Sequence, residues 1–226
     1  MGRGYSYIGL EATRWTEATG MVSLGGYPQS TAYGVSDDGT VITGYSSFID
    51  GQQAFRWTAS DGLIGLGDLN TESIKNSYGY GISGDGNYIV GISKSEAGDE
   101  AFRWNETDGM IGLGDFEGGK FYSVANAVSA DGSVVVGSGS DDEGELAFRW
   151  TEETGLQSIV DWLAESNVAV EEGFSLTKAT DVSDDGNTVV GNGSSTRFID
   201  SKLTIQFTHE TTQVCEIFRF RIFQIT

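Results

Sequence analysis

Pairs of acidic residues are the positions of this 226-residue chain where chemistry is easiest to envisage. Three such pairs are Asp37-Asp38, Asp141-Asp142 and Asp184-Asp185. Hard cations such as calcium prefer carboxylate oxygens, so these pairs are candidate calcium ligands, although none has the spacing of the twelve-residue calcium loop. A structural explanation competes with this one. An Asp at a turn accepts a backbone hydrogen bond, which would account for Asp85, Asp131 and the second Asp of the first and last pairs.

Other residue types that support catalysis are scarce. His209 is the single histidine and Cys215 the single cysteine, too few for a structural zinc tetrahedron, and no acid is placed to support a nucleophilic triad. The segment 114–120 has the spacing of a phosphate-binding loop, but Phe121 stands where Ser or Thr is required. We therefore predict no catalytic residues and no cofactor other than calcium.

Composition excludes one class of partner. Asp and Glu number 33 against 13 Lys and Arg, a formal charge of −20, so nucleic acid is not expected to bind. The acidity indicates either a solubilising surface or cation binding. No stretch approaches the roughly 20 apolar residues of a membrane span, and residues 1–6 do not resemble a signal peptide. We expect a soluble chain or a mature fragment of a longer one, without an intrachain disulfide.

A nine-residue motif recurs four times and indicates the architecture. Its form is Ser-x-Asp-Gly followed by β-branched residues and a second Gly, which predicts a β-hairpin with the Asp-Gly pair in a tight primed turn. Asp tolerates a positive φ and Gly adopts one without penalty. The turn glycines are Gly39, Gly86, Gly132 and Gly186.

Two further markers complete the repeat. Ala-Phe-Arg-Trp occurs at 54–57, 101–104 and 147–150, with a weaker copy at 12–15, and a Leu-Gly segment follows each of the first three tryptophans by about ten residues. Each unit of roughly 46 residues therefore contains four strands. Length and strand count predict an all-β, β-propeller-like array of about four full repeats plus a partial one, with a β-solenoid as the alternative.

The repeated aromatic and basic positions are expected to be structural. Period-2 alternation places Phe and Trp on one strand face and Ala and Arg on the other. The tryptophans are predicted to pack between neighbouring units, rather than form an exposed ring that binds sugars or peptides. The arginines are predicted to bond to a nearby Asp or loop carbonyls, rather than form a functional ring. These positions are Trp15, Trp57, Trp104, Trp150, Arg14, Arg56, Arg103 and Arg149.

Residues 1–193 are predicted to form a single repeat domain. Its units are about 12–44, 54–91, 101–137 and 147–191, preceded by a partial strand at 4–8. The last unit carries an insertion between Leu156 and Glu172 that predicts a short helix, with Ser158 to Asp161 as a capping box. Residues 194–226 break the pattern and are either closing strands or a foreign end.

The three ordered markers resemble the bacterial HAF-type extracellular repeat family over roughly residues 4–191. The shared pattern is Gly-Val-Ser-x-Asp-Gly-x-Val-x-x-Gly, then Ala-Phe-Arg-Trp-Thr, then Gly-(Leu/Met)-x-x-Leu-Gly-Asp. The last unit, with 161–163 and 173–176, resembles the terminal repeat of such proteins. The resemblance implies an extracellular or cell-surface bacterial protein, in some cases part of a larger chain, and brings no established catalytic residues.

Three functional hypotheses remain open. The first is a non-enzymatic surface module for binding or display, with carbohydrate or another surface protein as partner. The second is a carbohydrate-active propeller hydrolase with an acidic pair at its axis, and nearly identical units argue against it. The third is a ligand-free scaffold segment of a larger surface protein. Fold alone does not decide among them, and oligomeric state is not predicted.

Overall fold

The structure, a computed structural model, describes residues 9–25, 29–70, 74–171 and 173–195, together with the strand backbone of 203–208. The predicted partial strand at 4–8 and most of the 194–226 tail lie outside these residues. The described chain is nearly all β, with one short helix, as predicted.

The strands form five antiparallel meanders, numbered in chain order. Meander 1 contains β1 (Thr13–Thr16) and β2 (Gly20–Ser23). Meander 2 contains β3 (Ser30–Val35), β4 (Ile42–Phe48), β5 (Gly51–Thr58) and β6 (Gly62–Gly65). Meander 3 contains β7 (Lys75–Ile82), β8 (Ile89–Lys94), β9 (Asp99–Asn105) and β10 (Gly109–Gly112). Meander 4 contains β11 (Ser123–Val128), β12 (Val134–Ser140), β13 (Glu145–Thr151) and β14 (Gly155–Ser158). Helix α1 (Ile159–Glu165) precedes meander 5, which contains β15 (Phe174–Val182), β16 (Thr188–Ser195) and β17 (Leu203–Thr208).

Short parallel contacts join consecutive meanders at one end. In the β5–β7 pair, Gly51 lies opposite Lys75 and Gln52 opposite Asn76, and parallel bridges link Leu10 to Gln29 and Asp99 to Tyr122. Each meander from the second onward begins with the first strand of an Asp-Gly hairpin. A sequence unit that begins at Ala-Phe-Arg-Trp therefore contains strands of two meanders.

The hairpins form, but their turns are not of the predicted primed type. In the first, Gly39 N donates to Ser36 O at 2.8 Å, and Gly39 alone adopts a positive φ, of 70°. Among the described residues other than glycine, only Asn167 has a positive φ, so the Asp is not left-handed. The hydroxyl of Ser36 explains the difference. Val41 N donates to Ser36 Oγ at 3.0 Å, and this bond takes the place of a backbone–backbone bond of the hairpin ladder. The loop between the two strands can therefore be longer than a two-residue primed turn.

The third strand of meanders 2 to 4 presents aromatic side chains to the preceding segment, as alternation predicts. Phe55 and Trp57 pack with Ala12 and Leu24 of the preceding segment. On the opposite face, Ala54 packs with Phe102 of meander 3. Trp15 is the exception at 69% exposed, because no described meander lies on its side of β1.

Three of the four repeated arginines, Arg14, Arg103 and Arg149, lie over an aromatic ring of the next segment. The guanidinium carbon of Arg14 lies 5.8 Å from the centre of the Trp57 ring, and that of Arg103 lies 4.6 Å from Trp150 and 5.0 Å from Tyr88. Arg103 also donates to Gly132 O at 3.3 Å, so the predicted carbonyl bond exists there. The cation–π contact was not predicted, because strand alternation does not show which neighbour a side chain meets.

Buried serines connect the meanders through hydrogen bonds. Ser30 Oγ accepts from Ala12 N, Ser77 Oγ from Ala54 N and Ser123 Oγ from Ala101 N, each at 2.9 Å. Ser77 and Ser123 also donate to the carbonyl oxygens of Gly67 and Gly114, at 2.5 Å. The first strand of one meander is thereby bonded to the third strand of the meander before it.

Helix α1 begins as its predicted capping box requires. Ser158 is the N-cap, and its Oγ accepts from Asp161 N at 3.0 Å. Ile159, Trp162 and Leu163 are buried against meanders 4 and 5. The guanidinium carbon of Arg149 lies 5.3 Å from the centre of the Trp162 ring. The helix thus supplies the aromatic ring for Arg149, whereas a strand of the next meander supplies it for Arg14 and Arg103.

We expect Ser123→Ala to lower the free energy of unfolding by about 1–3 kcal/mol, because it leaves Ala101 N–H and Gly114 O buried without their hydroxyl partner. Urea denaturation followed by circular dichroism measures the change. Ser60→Ala is the control, since that hydroxyl is exposed. Equal midpoints for the two variants would contradict a connecting role for Ser123.

We expect Arg103→Ala to cost about 2–3 kcal/mol of stability, because the buried guanidinium contacts two rings and a carbonyl oxygen. Arg56 is its counterpart one meander earlier and, among the described residues, forms a 3.9 Å ion pair with exposed Asp61 and no ring contact. Arg56→Ala is therefore expected to cost less than about 1 kcal/mol. Thermal and urea unfolding of both variants make the comparison, and the reverse order would refute it.

Candidate functional site

The acidic pairs lie within turns that they help to hold. Asp38 Oδ1 accepts from Ser36 Oγ at 2.7 Å and from Thr40 N at 2.9 Å, and Asp185 Oδ1 accepts from Asn187 N at 3.0 Å. The Ser36 hydroxyl and the backbone and hydroxyl of Thr40 hold the pKa of Asp38 below its usual value. Asp141 Oδ1 accepts from two backbone amides of its own turn, at 2.7 and 3.0 Å.

Backbone bonds place the Asp-Gly turns in a row along one side of the sheets. Asp37 N donates to Gly84 O at 3.0 Å, Asp85 N to Ala130 O at 3.3 Å and Ala130 N to Asp184 O at 3.1 Å. The carboxylates of the row are thus spread over several meanders. Within the described part of the chain, no three or more His, Cys, Asp or Glu residues are grouped so that they could hold a metal ion.

Two aspartates of the Leu-Gly-Asp segments have a role that the sequence did not indicate. Asp68 Oδ2 accepts from Asn76 N at 3.1 Å, and Asp115 Oδ2 accepts from Tyr122 N at 2.6 Å. Each carboxylate thus holds the beginning of the next meander. Recurrence of the Asp was the available signal, but its partners, Asn76 and Tyr122, are of different residue types in the two units.

Four tyrosines form a cluster that the repeat pattern of the sequence does not indicate. We call Tyr33, Tyr45, Tyr78 and Tyr80 the tyrosine patch. Each ring contacts two of the others in a closed cycle, with centroid separations of 6.0, 5.0, 6.3 and 5.6 Å. Tyr33 is 51% exposed and the other three are partly buried. The patch is therefore an accessible aromatic surface shared by meanders 2 and 3.

β-Bulges position the two tyrosines on the first strands. The register of β3 with β4 shifts between Ala32 and Gly34, and that of β7 with β8 shifts between Gly79 and Gly81. Tyr33 and Tyr80 are the extra residues, which a bulge leaves unpaired and re-aims. A Tyr-Gly pair three residues before the hairpin serines Ser36 and Ser83 was the sequence signal that could have identified them.

Two tyrosines of the patch, Tyr78 and Tyr80, hold their protons more tightly than free phenols. Burial, followed by the neighbouring phenols Tyr33 and Tyr78, raises the pKa of Tyr80 to about 12. Burial is also the first cause that raises the pKa of Tyr78, with smaller effects of Tyr45, Tyr33 and Asp99. Tyr78 and Tyr80 therefore present neutral hydroxyl groups and π faces at neutral pH.

A shallow groove adjoins the patch and connects to it through a hydrogen bond from the Tyr78 hydroxyl to Gln52. We call it the hairpin groove, and its lining comprises Ser47, Phe48, Gly51, Gln52, Ile74, Lys75 and Asn76. Ile49 and Ile74 are 96% and 80% exposed on this side of the molecule. Lys75 Nζ donates to buried Asp68 at 2.9 Å and to the Asn70 carbonyl at 3.2 Å, so its charge is compensated locally.

Comparison with solved structures indicates the class of fold. Putative TolB from Agrobacterium tumefaciens matches with a TM-score of 0.54 and 17% sequence identity over 83% of this chain. TolB from Acinetobacter baumannii matches with a TM-score of 0.55 and 14% identity over 85% of this chain. The matches span 61% and 44% of those two chains.

These neighbours are β-propeller-like, and at such identities the likeness shows the fold alone. The prediction of a nearly all-β, propeller-like chain with one short helix is confirmed at that level. No family model and no curated protein matches the chain. The one helix among the described residues is too short to cross a membrane.

Alkaline pH should destabilise the protein through Tyr80. Its folded-state pKa of about 12 lies above the unfolded value of about 10, so the stability it contributes is complete below pH 10 and is lost as the pH rises through 12. We expect the free energy of unfolding to fall over this window, and to fall less steeply in Tyr80→Phe. Urea denaturation at a series of alkaline pH values measures both slopes, and identical slopes would contradict the assignment.

Proposed function

We propose that the chain is a non-enzymatic recognition module, which holds its partner on the tyrosine patch and the adjoining hairpin groove. The observation that carries the proposal is the closed cycle of four tyrosine rings with Tyr33 half exposed. Tyrosine supplies a large, stiff contact area at a low entropic cost and still offers a hydroxyl. Binding surfaces are enriched in such residues for this reason.

Exposed apolar groups beside the patch support the same function. Ile49 and Ile74 extend the contact surface, and Ser47, Gln52 and Asn76 supply polar groups along the groove. An apolar surface bordered by polar groups is the usual form of an interaction site. The aromatic rings would supply affinity and the polar groups would set orientation.

The carboxylates favour a binding role over the hydrolase alternative. A glycosidase needs two carboxylates about 5–10 Å apart across a cleft. Asp38, Asp141 and Asp185 instead accept hydrogen bonds within their own turns. Their described contacts stabilise the hairpins, and this structural role accounts for the repetition of the Asp.

The resemblance to HAF-type repeats suggests where such a module acts. We infer that the protein works outside the cytoplasm, at or near a bacterial surface, as a unit for binding or display. Carbohydrate and another surface protein are the two partner classes that fit this location. A ligand-free scaffold segment is the alternative to be excluded.

The test is to screen the protein against a glycan array and a peptide array, in calcium and again in chelator. We expect ligands on at least one array, and a loss of binding of about tenfold or more in a Tyr33→Ala, Tyr45→Ala double variant. Trp15→Ala is the matched control, because it removes an exposed aromatic side chain away from the patch.

Ligands retained by the double variant would show that the patch is not the recognition surface. Silence of the folded wild-type protein on both arrays would favour the scaffold alternative. Loss of binding in chelator would make the acidic pairs the next residues to mutate.

A further inference from the structure

The arrangement of the four rings indicates the class of chemical group that the tyrosine patch receives. Three of the four contacts are tilted, at interplanar angles of 31°, 60° and 60°, and only Tyr78 and Tyr80 are nearly parallel, at 13°. A flat sugar ring binds best to one flat aromatic platform. Tilted rings instead direct several π faces and edges at a shared region, which suits a compact group better than a flat one.

The electrostatics of the surrounding surface favour a positive charge. The π face of an aromatic ring is the negative end of its quadrupole and attracts ammonium and guanidinium groups. The chain carries a formal charge of −20, so a cationic partner gains from the field of the whole molecule, whereas a neutral sugar does not.

Charged groups close to the patch are largely paired among themselves. Asp99, which bridges to the backbone of Tyr122, forms an ion pair with Lys94 at 3.2 Å. Lys75 is bonded to Asp68 at 2.9 Å. The negative charge of Asp99 acts on Tyr78 of the patch, and that of exposed Glu145 acts on Tyr122. The described lysines beside the patch thus have local counter-charges.

The molecule already uses the same interaction between its meanders. Arg103 lies over Tyr88 and Trp150, Arg14 over Trp57 and Arg149 over Trp162. At three junctions an aromatic ring of the following segment receives an arginine from the segment before it, whereas Arg56 pairs with Asp61. The patch offers comparable rings on an accessible surface.

We propose that the tyrosine patch binds a lysine or arginine side chain from a basic, extended segment of a partner protein. The proposal rests on the recognition function given above and specifies its chemistry. The cationic group would lie against the exposed Tyr33 and its neighbours, and the rest of the segment would follow the hairpin groove towards Ile74. The groove's Ser47, Gln52 and Asn76 are suited to bonding the peptide backbone.

Isothermal titration calorimetry of the whole chain tests the proposal with a twelve-residue peptide of alternating lysine and glycine. The same peptide with acetylated lysines keeps length and shape but removes the charge. A hexamer of N-acetylglucosamine is the neutral sugar probe. Tyr33→Leu removes a π face at a half-exposed position, and Tyr33→Phe keeps the ring while removing the hydroxyl.

We expect the lysine peptide to bind the wild type and Tyr33→Phe with similar affinity, and to bind Tyr33→Leu about fivefold or more weakly. The affinity of the acetylated peptide for the wild type should be no higher than the affinity of the lysine peptide for Tyr33→Leu. Circular dichroism of each variant confirms that it is folded.

Equal affinity of the lysine peptide for the wild type and Tyr33→Leu would overturn the proposal, because attraction to the acidic surface alone would then explain binding. Equal binding of the acetylated peptide would also overturn it. If the sugar binds through the patch and the lysine peptide does not, the cation inference fails while the recognition function stands. If neither probe binds and both arrays are silent, the two proposals fail together.

Discussion

Packing of the aromatic face of meanders 2 to 4 against the small face of the segment before each one is the constraint on which the rest of the structure depends. The fully buried side chains Phe55, Phe102 and Phe148 occupy equivalent positions in these interfaces. A single meander could not bury its own face, so each one is stable only through its neighbours. Serine bonds and arginine–aromatic contacts then fix the relative position of adjacent meanders, because they act between defined atoms rather than between surfaces.

The glycine that ends each hairpin motif links this packing to the tyrosine patch. A Cβ added at Gly44 would overlap the carbonyl oxygen of Thr31, and one added at Gly91 would overlap that of Tyr78. These glycines therefore permit a close approach of two strands just before the bulge in the partner strand. The bulge turns Tyr33 and Tyr80 outward. The glycine that recurs at the end of each hairpin motif therefore allows the aromatic surface to form.

Local sequence patterns predicted those features of the fold that depend on residues close together in the sequence. The alternation of Phe55 and Trp57, the hairpins and the capping box of α1 follow from side-chain direction and hydrogen bonding over a few residues. The turn type was wrong because the Ser36 hydroxyl takes over a ladder bond, a detail that the Asp-Gly pair does not reveal. The tyrosine patch was missed because its rings come from three strands of two meanders, and no spacing in the sequence records that proximity.

The first-strand bulge shows how an array of similar units acquires a distinct site. The equivalent position holds Tyr33, Tyr80, Asn126 and Thr180 in meanders 2 to 5. Asn126 donates to Ala179 O at 2.7 Å and Thr180 Oγ1 to Val190 O at 3.2 Å, so in the last two meanders this side chain is bonded to the fold itself. In meanders 2 and 3 it is an aromatic ring, and the centroids of the two rings lie 5.6 Å apart across the junction of these meanders. One backbone feature therefore serves stability in one half of the array and presents a surface in the other. Because this bulge recurs at the equivalent position in meanders 2 to 5, the difference between them there resides in the side chain that the bulge re-aims.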